Sequence, residues 1–181
     1  MNGPNLPTIG FAPKGCAAGR LRQRTRPADA HFFLTTSRPV PIATLLCLVI
    51  AVSDGDTLTA RCGAQRPIQV RLAAIDAPER KQAFGTPSRQ NLTRLCLRQK
   101  ATLQTVARDA YGRTVAHVQC GNGDAAAAQV RAGLAWVYTP RASRYPQLAA
   151  LQRQAQVSHT GLWSQKRPRA PWDYRRQHPR G

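Results

Sequence analysis

Apolar positions along the chain fall into short runs separated by turn residues, the pattern of a β-rich domain followed by helices. Cys47–Ser53 and Thr57–Cys62 flank Asp54-Gly55, and an Asp-Gly pair between two such runs predicts a hairpin. Gly63-Ala64-Gln65 supplies the next turn, and Ile68–Ile75 predicts a third strand that Pro78 stops. Ser88–Leu97 reads as a helix, with Ser88 as its cap and Leu92 and Leu95 on one face. Ala101–Ala107 and Arg113–Cys120 predict a fourth and a fifth strand about the turn Asp109-Ala110-Tyr111-Gly112. Asp124 caps a helix through Arg131 that Gly133 ends. Tyr145–Ser158 reads as an amphipathic helix with Leu148, Leu151 and Ala155 facing inward. Five strands, a helix after the third and helices at the end predict an α+β arrangement, a small barrel with about three helices.

The two ends lack this pattern. Residues 1–41 show no helical or strand period, and 1–46 is expected to be a disordered extension or a misassigned start. Ile42 to Val52 is an apolar run of eleven residues, short of the roughly twenty that cross a bilayer. The expectation is a remnant of an export signal running into the first strand, with no stable membrane insertion. Gly161-Leu162-Trp163 closes the predicted domain, 47–163, and 164–181 reads as a solvated Pro/Arg-rich tail.

Charge changes the picture. The 181 residues carry 27 Lys+Arg against 8 Asp+Glu, a formal net charge of +19. A surplus that large repels itself unless it meets a polyanion, so nucleic acid is the expected partner, ahead of an anionic membrane surface or an acidic polysaccharide. Between 47 and 163 the acids are Asp54, Asp56, Asp76, Glu79, Asp109 and Asp124, and the first five sit in three short clusters. Clustered carboxylates in so basic a chain point to a bound cation.

The cysteines are Cys16, Cys47, Cys62, Cys96 and Cys120, with no C-x-x-C pair and no His at zinc-finger spacing, which argues against structural zinc. Cys47 and Cys62 are centred on the Asp54-Gly55 turn and would face each other across the hairpin, which leaves Cys96 and Cys120 as a second pair. Four buried free thiols in a reducing compartment are the alternative. His31, His117, His159 and His178 form no ligand or catalytic pattern.

Three segments carry candidate chemistry: Asp54-Gly55-Asp56-Thr57, Arg71 through Glu79 (RLAAIDAPE), and Asp109-Ala110-Tyr111-Gly112-Arg113. Each alone has an ordinary reading as a turn or a strand end. In this order and spacing they resemble the staphylococcal nuclease-like family, whose hallmarks are a D-G-D-T hairpin, an R-L-x-x-I/V-D-x-P-E strand and loop, and a D-x-Y-G-R turn. The likeness runs on through Val130-Arg131-Ala132-Gly133-Leu134-Ala135-Trp136-Val137-Tyr138 to Gly161-Leu162-Trp163. It implies a five-stranded OB-fold barrel and a monomeric, Ca2+-dependent nuclease acting on DNA, with RNA a further candidate substrate.

By this resemblance Asp56 and Asp76 match the calcium carboxylates, Ala77 the residue offering a backbone carbonyl, and Asp54 a supporting carboxylate. Glu79 matches the residue that positions or deprotonates water. Arg71 and Arg113 match the two arginines on the scissile phosphate. Tyr111 and Tyr138 match substrate-contacting tyrosines. Where the type protein has a lysine beside that first tyrosine, this chain has Ala110, and the loop Lys81–Pro87 is shorter.

The chemistry suits these residue types. A phosphodiester repels nucleophiles and gains negative charge as it is attacked. A hard cation on carboxylates and two bidentate guanidiniums offset that charge. One tension is geometric: Arg71 and Asp76 are five residues apart, so a regular strand would point them to opposite faces, and a twist or bulge before Asp76 is required. The rival reading is a non-catalytic nucleic-acid-binding module on the same barrel. The disulfide pairing, in turn, predicts a periplasmic or secreted protein.

Overall fold

The computed structural model describes residues 44–121 and 123–179; the N-terminal extension with Cys16, and residues 180–181 of the tail, lie outside the described residues. The strand β1 (Thr44–Val52) pairs antiparallel with β2 (Thr57–Arg61), which pairs with β3 (Ile68–Leu72). The chain then makes a short strand, β4 (Ile75–Asp76), and the helix α1 (Gly85–Cys96). Next, β5 (Lys100–Arg108) and β6 (Thr114–Cys120) form a hairpin, and β7 (Gly123–Asp124) leads into α2 (Ala125–Arg131). A short β8 (Trp136–Val137) pairs back onto β4, and α3 (Pro146–Val157) and α4 (Pro171–Gln177) follow.

The sheet runs β3-β2-β1-β5-β6, and parallel pairing of β3 with β6 closes it into a five-stranded barrel. Register breaks at Val49/Ala51 and Thr105/Ala107 mark irregularities in the two longest strands. Such bulges bend a strand, and closure needs bending. Inside the barrel lie Val49, Leu58, Val70, Leu72, Leu103 and Val118, all at most 1% exposed.

The helices follow from their buried faces. In α1, Gly85, Ser88, Leu92 and Cys96 recur at helical spacing and are buried. The helix starts earlier than expected: Phe84 is its N-terminal boundary, and Ser88 lies inside the helix rather than capping it. Asp124 does cap α2, accepting from the Ala127 N–H at 2.7 Å. In α3, Pro146 holds the first-turn position and Ala155 is buried, while Leu148 and Leu151 pack against the core.

Both expected disulfides are present: Cys47–Cys62 between β1 and the end of β2, and Cys96–Cys120 between the end of α1 and β6. Residues 171–177, read from sequence as part of a solvated tail, form α4, a fourth helix beyond the three expected. Trp172 supplies the reason, its ring lying 5.8 Å from that of Trp136 and 6.2 Å from that of Tyr138. Among the described residues no helix is long and apolar enough to cross a membrane.

Candidate active site

The geometric tension between Arg71 and Asp76 is resolved in the backbone. After Leu72 the chain leaves the barrel, Ala74 takes a left-handed conformation (φ 67°), and Ile75–Asp76 resumes as a separate strand on β8. That break resets the alternation of sides, so both side chains enter one groove. The Arg71 guanidinium then spans the carboxylates, with Nη1 2.6 Å from Asp56 Oδ2 and Nη2 3.0 Å from Asp76 Oδ1.

Asp56 sits in the hairpin loop that Ser53 N–H closes on the Thr57 carbonyl at 2.9 Å. It is 4% exposed. Its Oδ1 accepts from the Thr57 hydroxyl and its Oδ2 from the Ala77 N–H at 2.8 Å, so the hairpin and the Asp76 segment are tied through this carboxylate. Burial opposes its charge, but Arg71 and the Ala77 N–H hold its pKa below the ordinary carboxylate value.

Asp54 accepts from the Asp56 N–H at 3.1 Å. Burial, then the neighbouring charge of Asp56, pushes it up to about 6. Burial likewise raises Asp76, against the pull of the Arg175 guanidinium. Arg71 is held protonated above its ordinary value despite burial, because two carboxylates face it.

Gly55 is needed for close approach rather than for an unusual backbone angle. A Cβ there would lie 1.8 Å from Ser88 Oγ and 2.8 Å from the Ala77 Cβ. The loop is seated on α1 and α2 by a buried polar cluster. Gln129 Nε2 donates to the Gly55 carbonyl at 2.5 Å and to the Ser88 carbonyl at 3.0 Å, Ser88 Oγ donates to the Leu134 carbonyl, and Asn91 donates to Gln129 Oε1. Gln129 is fully buried, and it ties both helices to the hairpin of Asp56.

The third motif forms its own turn. Asp109 Oδ1 accepts from the N–H groups of Tyr111 and Arg113, and Oδ2 from Arg113 Nε at 2.7 Å. Burial opposes its charge, but the bonds and charge of Arg113 and the Tyr111 N–H together hold Asp109 below its usual range. The guanidinium of Arg113 lies 5.4 Å from the Tyr111 ring centre, and Tyr111 is 83% exposed.

These parts line one groove of about 710 Å³. Asp54, Asp56, Arg71, Asp76, Ala77, Glu79, Tyr111 and Arg113 all border it, with Gln69, Pro78, Arg175 and His178. Tyr138 does not border it; its ring faces Trp172. Sequence reasoning missed Gln129 and Arg175, read Ser88 as a helix cap, and gave His178, which borders the groove, no site role. Gln129 left a trace, a polar residue on the otherwise apolar face of α2. Arg175 left only Trp172, an aromatic residue among the prolines and arginines of the C-terminal segment.

The donor set fits a hard cation. Asp56 and Asp76 are close enough to share one guanidinium, and carboxylate oxygens suit calcium or magnesium. Among the described residues no group of three or more His, Cys, Asp and Glu is arranged to hold a metal. Main-chain oxygen and water would therefore complete a shell, as such cations accept.

A family model described as "Staphylococcal nuclease homologue" matches residues 69–165. A protein of Haemophilus influenzae named as an uncharacterised endonuclease is 39% identical over 131 residues, covering 72% of this chain and 73% of the relative. One of the same name from Escherichia coli O157:H7 is 36% identical over 140 residues, covering 77% and 90%. A micrococcal nuclease of Shigella flexneri is 36% identical over 143 residues, covering 71% and 79%. The chain belongs to the staphylococcal nuclease-like family.

Proposed function

We propose that this chain is a Ca2+-dependent nuclease that hydrolyses phosphodiester bonds of DNA, and of RNA where a single strand enters the groove. The observation that carries the reading is the convergence of Asp56, Asp76, Glu79, Arg71 and Arg113 on one groove from three separate segments. Nuclease relatives and a net charge of +19 support a nucleic-acid substrate.

In this reading Asp56, Asp76 and the Ala77 carbonyl hold the cation, with Asp54 behind them. A cation held there would supply Lewis acidity, polarising a phosphoryl oxygen and lowering the cost of deprotonating water. Arg71 and Arg113 grip the phosphate oxygens and stabilise the charge that builds there, each through a planar fork that lysine lacks. Glu79 orients the attacking water or takes its proton. Tyr111, exposed beside Arg113, offers a ring to the nucleotide, and Tyr138 a more distant one.

The protein acts as a monomer in an oxidising compartment, periplasmic or extracellular, where the two disulfides persist. Natively isolated protein, alkylated without reduction, should show at most one labelled cysteine by intact mass; four or five would sink both the pairing and the compartment. For the activity, calcium titration by calorimetry paired with plasmid cleavage is the test. Wild type should bind and cut, and Asp76→Asn should lose both. Undiminished cutting by that variant would refute the site.

A further inference from the structure

The arginine count of the groove does not stop at Arg71 and Arg113. Arg175 lies ten residues beyond the segment that the family model matches, on α4, yet it reaches the centre of the site. Its Nη2 lies 2.6 Å from Asp76 Oδ2, and its Nη1 lies 3.2 Å from Asp76 Oδ1 and 2.8 Å from Glu79 Oε1. One planar fork therefore spans the buried strand end at Asp76 and the more exposed loop at Glu79.

The delivery of this side chain does not depend on its own ion pairs. Asp76 pairs with Trp136 across the β4–β8 ladder, and Trp172 of α4 packs on Trp136. Three residues on, along the same face of a helix, stands Arg175. Ala170 and Pro171 are buried at the start of α4. A second tie runs through Gln82, whose Nε2 donates to the Arg169 carbonyl at 2.7 Å while its Oε1 accepts from the Glu79 N–H at 3.1 Å. The loop that carries Glu79 is thus bound to the C-terminal segment twice, once by its backbone and once by its carboxylate.

We propose that Arg175 is a positioning residue, the part of α4 that fixes the Glu79 carboxylate beside Asp76 and orders the 78–84 loop. This inference rests on the nuclease reading for its kinetic consequence, but its structural part stands apart from activity. Hydrogen exchange of the full chain in the presence of calcium separates the two. In Arg175→Ala, amides of residues 79–84 should exchange roughly tenfold faster, the change expected when a charge-assisted hydrogen bond is lost, while α4 stays protected by Trp172. Arg175→Lys, which keeps one charge without the fork, should fall between.

Unchanged exchange at 79–84 would overturn the proposal. So would joint opening of the loop and α4, which would make Arg175 a latch for the helix. Kinetically, Arg175→Ala should lower kcat with little change in KM, and the loss should largely vanish in a Glu79→Gln background. Additive losses would also overturn it. A wild-type chain that cuts nothing would refute the nuclease reading and leave the exchange result to decide this one.

Discussion

The two walls of the groove are held by different forces. On the barrel wall, Asp56, Arg71 and Arg113 lie on or beside hydrogen-bonded strands, and Asp56 and Arg71 are fixed against each other by a 2.6 Å ion pair. On the other wall, Arg175 is carried by a seven-residue helix whose seat is aromatic packing of Trp172 on Trp136 and Tyr138. The barrel wall sits on ladders that cannot shift without breaking several bonds at once. The α4 wall is joined to the barrel through side chains, by ring contacts, the Gln82 bond and the Arg175 ion pairs, with no strand ladder of its own. Chemistry that needs fixed charge belongs on the first; adjustment of a loop suits the second.

The largest effects should therefore fall on the barrel wall. Arg71→Lys and Arg113→Lys keep the charge and lose the fork, and each should cut turnover by about a hundredfold or more with a smaller change in substrate binding. Single-turnover cleavage beside a binding titration measures both. Near-wild-type turnover in a folded variant would remove that arginine from the mechanism.

Next in size is the support behind the hairpin. Gln129→Ala leaves the Gly55 and Ser88 carbonyls without their buried donor, which should cost about 1–3 kcal/mol in urea unfolding. A loss below roughly half a kcal/mol, the range of neutral surface changes, would mean that the hairpin does not depend on the helices.

The smallest effect should come from unseating α4. Trp172→Ala removes two ring contacts, each worth about 0.5–1.5 kcal/mol beyond the area it buries, but none of the barrel's ladder bonds, so the barrel should stay folded. Turnover should fall in proportion to the loss of Arg175, not beyond it. If Trp172→Ala unfolded the domain, the contrast between the walls would be wrong.

The same contrast explains what could be read from sequence. The barrel wall is encoded locally: a D-G-D-T hairpin, a strand ending in Asp76-Ala77-Pro78-Glu79, and a turn in which Asp109 binds the backbone of its own motif. Short-range rules recover such features, and the register about the first turn also led to the Cys47–Cys62 bridge. Ser88 was misplaced because the rule for caps sees a serine at a helix start, whereas here its hydroxyl serves the Leu134 carbonyl, forty-six residues away. Arg175 and Asp76 are ninety-nine residues apart, and no periodicity links them. The break at Ala74 was needed by the geometry of Arg71 and Asp76, yet nothing in Ala73-Ala74 announces a left-handed residue.

The most direct measurement is nicking of closed circular plasmid by the full chain, run with calcium, with excess EGTA, and with Arg71→Lys in calcium. The account predicts rapid nicking in the first, none in the second, and a rate down by about a hundredfold in the third. Equal nicking in calcium and EGTA, or no difference between wild type and Arg71→Lys, would contradict it.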